Sequence, residues 1–236
     1  MTYFQYSKNL LSSLLFIFPL FVLYEFIAYF KFYNSSYQIR NTADIIFRDI
    51  ISVFTEQITL IYSVTILIII ISYLYFKSSE MKLFKFKIYY TILMYFEGFF
   101  YGILLVVFLN GFYFFNYINN IIFNNDYILS FYLCLGAGIF EELLFRLVLI
   151  NLFIFIFKYI LKDINYIVLL SMIVSSLLFS SFHYIGSLAD NFTLYSFTIR
   201  FIAGIYLCIL YYFRGIGISM FSHFVYDFLL ITTPLL

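Results

Sequence analysis

Apolar runs of 18 or more residues recur along this chain, and a run of that length crosses the hydrocarbon core of a bilayer as a helix. Hydropathy marks seven spans, at about 10–30, 58–76, 89–110, 127–160, 165–183, 197–213 and 217–235. Each must be helical, because an open strand in lipid would leave its backbone N–H and C=O groups unpaired. Composition points the same way: 65% of the 236 residues are hydrophobic and 11% charged. A soluble domain needs far more polar surface than that. The expected fold is therefore an all-α integral membrane protein, a bundle of about seven transmembrane helices around a buried polar site. No internal repeat or low-complexity linker divides it, so 1–236 reads as one domain. Within it, 1–126 supplies helices of unassigned role and 127–236 the core.

The net charge of +1 argues against nucleic acid as a partner. Cys134 and Cys208 both fall in apolar segments, which speaks against a disulfide framework. Lys8 followed by an apolar run has the look of a signal peptide. The run is too long, however, and no small-residue cleavage site follows Phe30, so it reads as a retained first span.

Lysines and arginines set the expected orientation. Lys77, Lys82, Lys85 and Lys87 lie between the second and third spans, Lys158 and Lys162 between the fourth and fifth, and Arg214 between the sixth and seventh. The opposite links are the Asn-rich 111–126 and 184–196, which carries Asp190 and no Lys or Arg. This alternation puts the N-terminus in the cytoplasm and the C-terminus outside, in what reads as a bacterial cytoplasmic membrane. Segment 31–57 disagrees, with Lys31, Arg40 and Arg48 on the outer side. There Asn41 or Thr42 can cap a helix with Asp44 in its first turn, and Ile46, Ile50, Phe54 and Ile58 share one face. A helix lying on the membrane surface and an extension of the second span both fit.

Ionisable groups inside spans cost roughly 2.5–3.5 kcal/mol each on insertion, which makes each a functional candidate. The fourth span holds Glu141, Glu142 and Arg146; the fifth ends on Phe179 and His183; the seventh holds His223 and Asp227. Glu142 and Arg146 are four apart and can neutralise one another. Glu141 lies about 100° around an α-helix from Glu142 and stays uncommitted to the arginine. His223 and Asp227, also four apart, can act together or let the carboxylate orient the ring. Counted from the cytoplasmic ends, Glu141 and His183 come out near 28 Å up their helices, and His223 only roughly 10 Å up. A turn at Arg214–Gly217 set above the inner surface would lift His223 and Asp227 to the others.

Together these residues resemble the CAAX protease and bacteriocin-processing family of intramembrane glutamic endopeptidases. The family pattern is Glu-Glu-x-x-x-Arg, then Phe-x-x-x-His, then His-x-x-x-Asn or Asp, each on its own transmembrane helix. The resemblance covers about residues 136–230. It implies Glu141 as general base, with His183 helping to hold and deprotonate a water that attacks the scissile amide. His223 and the residue at 227 would stabilise the oxyanion, while Glu142, Arg146 and Phe179 support them. Asp227 departs from the Asn form, because an ionised carboxylate donates nothing. Either it is protonated, or it fixes the His223 tautomer and only the ring donates. Leu147 stands where the family often has a small residue.

The implied substrate is a membrane-associated polypeptide: a C-terminal sorting tag, a leader or a prenylated tail. The implied reaction needs no cofactor. Zinc held by Glu141, His183, His223 and Asp227 is the less favoured alternative, since His-Glu-x-x-His is missing from the sequence. A non-catalytic role in bacteriocin self-immunity is the other. Glu25 and Glu97 are open between supporting the site and making helix contacts, and Arg200 is expected to snorkel. Gly136, Ala137 and Gly138 should allow close helix approach.

Overall fold

A computed structural model describes residues 1–32, 40–52, 85–111, 127–185 and 189–232. The expected span at 58–76, Lys77 and Lys82 after it, Phe54, Ile58, nearly all of the Asn-rich link and the end of the last span lie outside the described residues. Every regular element among the described residues is helical. In order they are α1 (Tyr3–Lys8), α2 (Leu10–Phe32), α3 (Thr42–Ser52), α4 (Ile88–Asn110) and α5 (Tyr127–Gly136). Two π-helical stretches follow, Ala137–Glu141 and Leu143–Leu149. Then come α6 (Ile150–Phe157), α7 (Ile164–Phe182), α8 (Leu194–Arg214) and α9 (Ile216–Thr232). Among them Leu10–Lys31, Ile88–Leu109, Ile164–Phe182 and Leu194–Arg214 are long and apolar enough to cross a membrane, and Ile216–Ile231 is apolar but shorter. The chain is a helical membrane protein.

Helix α9 is the centre of the bundle, packed against α4, α8, α5, the first π stretch and α2. Small residues let these backbones approach. A Cβ added to Gly102 of α4 would lie 2.7 Å from the Val225 Cβ, and one on Gly138 would lie 2.7 Å from the Met220 carbonyl oxygen and 2.8 Å from the Phe224 Cβ. Such distances leave no room for a methyl group, so Gly138→Ala must push the π stretch off α9. We expect it to lower stability by about 1–3 kcal/mol, read as a fall in Tm in detergent; an unchanged Tm would show that the helices can separate freely.

The link between α8 and α9 is a single residue, Gly215, at φ +90, a conformation that side chains disfavour. Just before it, Arg214 is buried and ion-paired with Glu97 through Nε and, at 2.6 Å, through Nη2. The Tyr3 hydroxyl donates to the same carboxylate, and the guanidinium lies 4.1 Å from the centroid of the Phe4 ring. Glu97 and Arg214 therefore make a helix contact. Because Glu97 stands about 13 Å along α4 from its start beside Lys87, the turn into α9 lies inside the bundle, and α1 fills the space beneath it.

Asn41 caps α3: its Oδ1 accepts the Ala43 N–H at 2.9 Å. Of the expected aliphatic face of α3, Ile50 is exposed and Ile46 half-buried, and the face turned to the protein is a polar one. Ala43, Asp44 and Arg48 are buried, while Ile45 and Ile50 are 40% and 57% exposed. Partners explain the reversal. Asp44 accepts from the Tyr24 hydroxyl at 2.9 Å, from Arg40 at 3.1 Å and from Arg48 at 2.9 Å. Glu25 of α2 pairs with Arg48 at 2.6 Å and with Arg40 at 3.3 Å. Charges that find partners go inward, and aliphatic groups can face lipid.

Candidate active site

The expected fourth span is one helical run from Tyr127 to Phe157 whose middle is wound as π-helix. Hydrogen bonds there run to the fifth residue along, so the α-helical angle assumed for Glu141 and Glu142 does not apply. The two carboxylates nevertheless part company. Glu142, fully buried, lies 2.7 Å from Arg146 Nη1 and 2.8 Å from His223 Nδ1 through Oε1, and its Oε2 accepts from the Ser219 hydroxyl at 2.6 Å. Glu141 turns the other way. Its Oε1 accepts from the Asn41 side-chain amide at 2.8 Å, and its Oε2 is buried with no hydrogen-bond partner among the described residues.

Arg146 is wholly buried, a placement that charge alone would forbid. Besides Glu142 it reaches the Gly204 carbonyl at 3.4 Å and lies 4.4 Å from the centroid of the Phe179 ring. The same ring meets His183 edge-on at 5.2 Å and His223 at 5.6 Å between centroids. Phe179 is thus the wall on which α7, α9 and the π stretch converge. Ser175, one turn earlier on α7, donates to the Phe145 carbonyl at 2.6 Å and locks α7 to the second π stretch.

His183 is the first residue past α7 and caps it. Its Nδ1 lies 3.0 Å from the Phe179 carbonyl, which can only accept, so Nδ1 carries the hydrogen and Nε2 of the neutral ring carries the lone pair. The loop beyond is tied back: the Asp190 N–H donates to the His183 carbonyl at 3.0 Å, and Arg200 bonds the Tyr184 hydroxyl at 3.0 Å and pairs with Asp190. Arg200 therefore braces the loop after His183 rather than only reaching out to the surface. On α9, His223 Nε2 lies 3.3 Å from Asp227. Both ring nitrogens of His223 face carboxylate oxygens.

The structure thus links Glu142, Arg146, Phe179, His183, His223 and Asp227 through the rings of Phe179 and His223, whereas Glu141, the residue before Glu142, bonds Asn41. Two participants are absent from the sequence reading. Ser219 stands one turn before His223, and a hydroxyl on that face of an apolar helix was its only signal. Asn41 was legible as a helix cap, but nothing in the sequence joins it to a residue one hundred positions away.

Residues 123–229 match the family model described as type II CAAX prenyl endopeptidase Rce1-like. That segment is similar to this family. Its members are CAAX-type membrane proteases, and the match spans all seven residues singled out in the core. No curated protein and no solved structure matches the chain. The matched segment begins beyond α3 and α4, so Asn41, Glu25 and Glu97 come from outside it.

Proposed function

We propose that this chain is a glutamate-dependent, metal-independent intramembrane endopeptidase, with Glu141 as the base that activates water. The observation that carries the reading is the state of Glu141: a buried carboxylate with one oxygen held by Asn41 and the other without a hydrogen-bond partner among the described residues, next in the chain to the Glu142 that binds His223. That oxygen takes a proton from a water that His183 Nε2 helps to align. The hydroxide attacks the scissile carbonyl carbon, the oxyanion collects on His223 Nε2–H, and the proton passes to the leaving amine as the C–N bond breaks.

Asp227 in place of an amide fits this scheme. A carboxylate cannot donate to an oxyanion, but it can hold the ring that does. With both nitrogens protonated, His223 satisfies Glu142 and Asp227 together, and the quartet with Arg146 is electrically neutral. The 3.3 Å contact to Asp227 is long for a charge-assisted bond, so a developing oxyanion competes for that proton.

The same occupancy disfavours zinc. A ligand nitrogen needs its lone pair directed at the metal, and both nitrogens of His223 are turned to carboxylates.

The substrate we propose is a polypeptide whose scissile bond lies next to a membrane-embedded tail. The orientation we propose has the N-terminus in the cytoplasm. Arg40 and Arg48, which opposed it, are paired inside the protein and are not free loop charges; Arg214, which favoured it, is paired too.

The test uses the purified protein in liposomes. The probes are a farnesylated, internally quenched peptide ending in a CAAX sequence and unprenylated peptides with short hydrophobic C-terminal tags. Cleavage of at least one, unchanged by a membrane-permeant chelator, is expected. Loss of cleavage with the chelator, restored by zinc, would favour the metal reading, and a folded preparation that cleaves none would overturn the proposal.

A further inference from the structure

We propose that Asn41, contributed by α3 from outside the family segment, is the positioning residue for Glu141. Its amide holds one carboxylate oxygen and so aims the other into the site. The inference rests on the reading of Glu141 as base.

The side chain of Asn41 has both ends committed. Its Oδ1 accepts the Ala43 N–H at 2.9 Å and its Nδ2 donates to Glu141 Oε1 at 2.8 Å. A flipped amide would set a carbonyl oxygen against the carboxylate and an N–H₂ against a backbone N–H, two repulsions in place of two bonds. The cap therefore fixes which end meets Glu141. The approach itself depends on Gly136, where an added Cβ would lie 3.1 Å from the Asn41 Cβ and 2.7 Å from the Tyr24 ring. The run that bears Glu141 is bare at the point where Asn41 arrives.

Helix α3 is also anchored independently of this bond. Asp44, completely buried, is the centre of the cluster with Tyr24, Arg40, Arg48 and Glu25. Two carboxylates and two guanidiniums balance in charge, and they tie α3 to α2 three residues from the cap. A donor presented by so firmly held an element can orient a catalytic carboxylate. A donor on a loose loop could not.

Cap and donor can be separated. Asn41→Ser and Asn41→Asp keep an oxygen that caps α3, but neither offers an amide N–H to Glu141. We expect both to fold, with kcat down about 10- to 100-fold and KM within about twofold of the parent, and Asp at least as impaired as Ser. The probe is the peptide cleaved best by the parent among those above. Wild-type kcat in both variants, with Glu141→Gln inactive, overturns this inference and leaves the peptidase reading standing; an active Glu141→Gln overturns the peptidase reading instead. A second measurement needs no substrate. The Tm losses of Asn41→Ser, Glu141→Ala and the double variant should be non-additive by more than about 2 °C, the double losing less than the two singles together. Additive losses would show that the two side chains are not coupled and would overturn the inference.

Discussion

Glu141→Gln is expected to lose about 10²- to 10⁴-fold in kcat, the usual contribution of a positioned general base, while folding as the parent does. The substitution is close to isosteric. The Gln carbonyl oxygen can still accept from Asn41, and the second position lies where Oε2 now has no partner, so little stability is at stake. What is lost is the capacity to take a proton from water, because an amide is not a base near neutral pH. Single-turnover cleavage in liposomes, with Tm measured on the same preparation, separates the two effects. Cleavage within about tenfold of the parent by a folded Glu141→Gln protein would leave Glu141 without the role assigned to it.

The largest expected effect on stability belongs to Arg146. Removing one partner of a buried ion pair costs about 3–5 kcal/mol, because the other charge stays behind without compensation. Arg146→Ala strands Glu142 and also removes the cation from the face of Phe179. We expect poor accumulation and a large fall in Tm. Arg146→Lys should rescue little, since an ammonium cannot reach Glu142, the Gly204 carbonyl and the aromatic face as one planar group does. Glu142→Leu combined with Arg146→Met removes both charges and should recover much of the stability. It should stay inactive, because His223 would lose the carboxylate on its Nδ1. Recovery of cleavage in that double variant would mean that the pair is needed only for folding.

Apart from Phe179, the residues of the three motifs stood out in the sequence because each is a polar group in an apolar span. Their partnerships were less legible. Glu142 was read as the companion of Arg146, and it is equally the anchor of His223; helical spacing reports neighbours on one helix and is silent about the next. The π winding of 137–149 was hidden for a related reason, since its apolar residues would satisfy an α-helix as well. Counting residues from an assumed surface start of α9 gives His223 a shallow place. The Arg214–Glu97 pair sets that start beside the middle of α4, a partnership that neither residue reveals by type. The charged buried face of α3 departs from the rule that helices bury their aliphatic stripe. That rule belongs to water, and reverses where the surroundings are hydrocarbon.

The early start of α9 bears on how a hydrolase can work in oil at all. Five residues separate Asp227 from the last residue of α9 at Thr232, about 8 Å of helix, and His183 already stands past the end of α7. Of the polar groups in the core, Asp227 and His183 retain contact with the surroundings, whereas Glu142 and Arg146 retain none. On the proposed mechanism, water would have a short way in past the two helix ends, while Glu142 and Arg146 lie out of its reach.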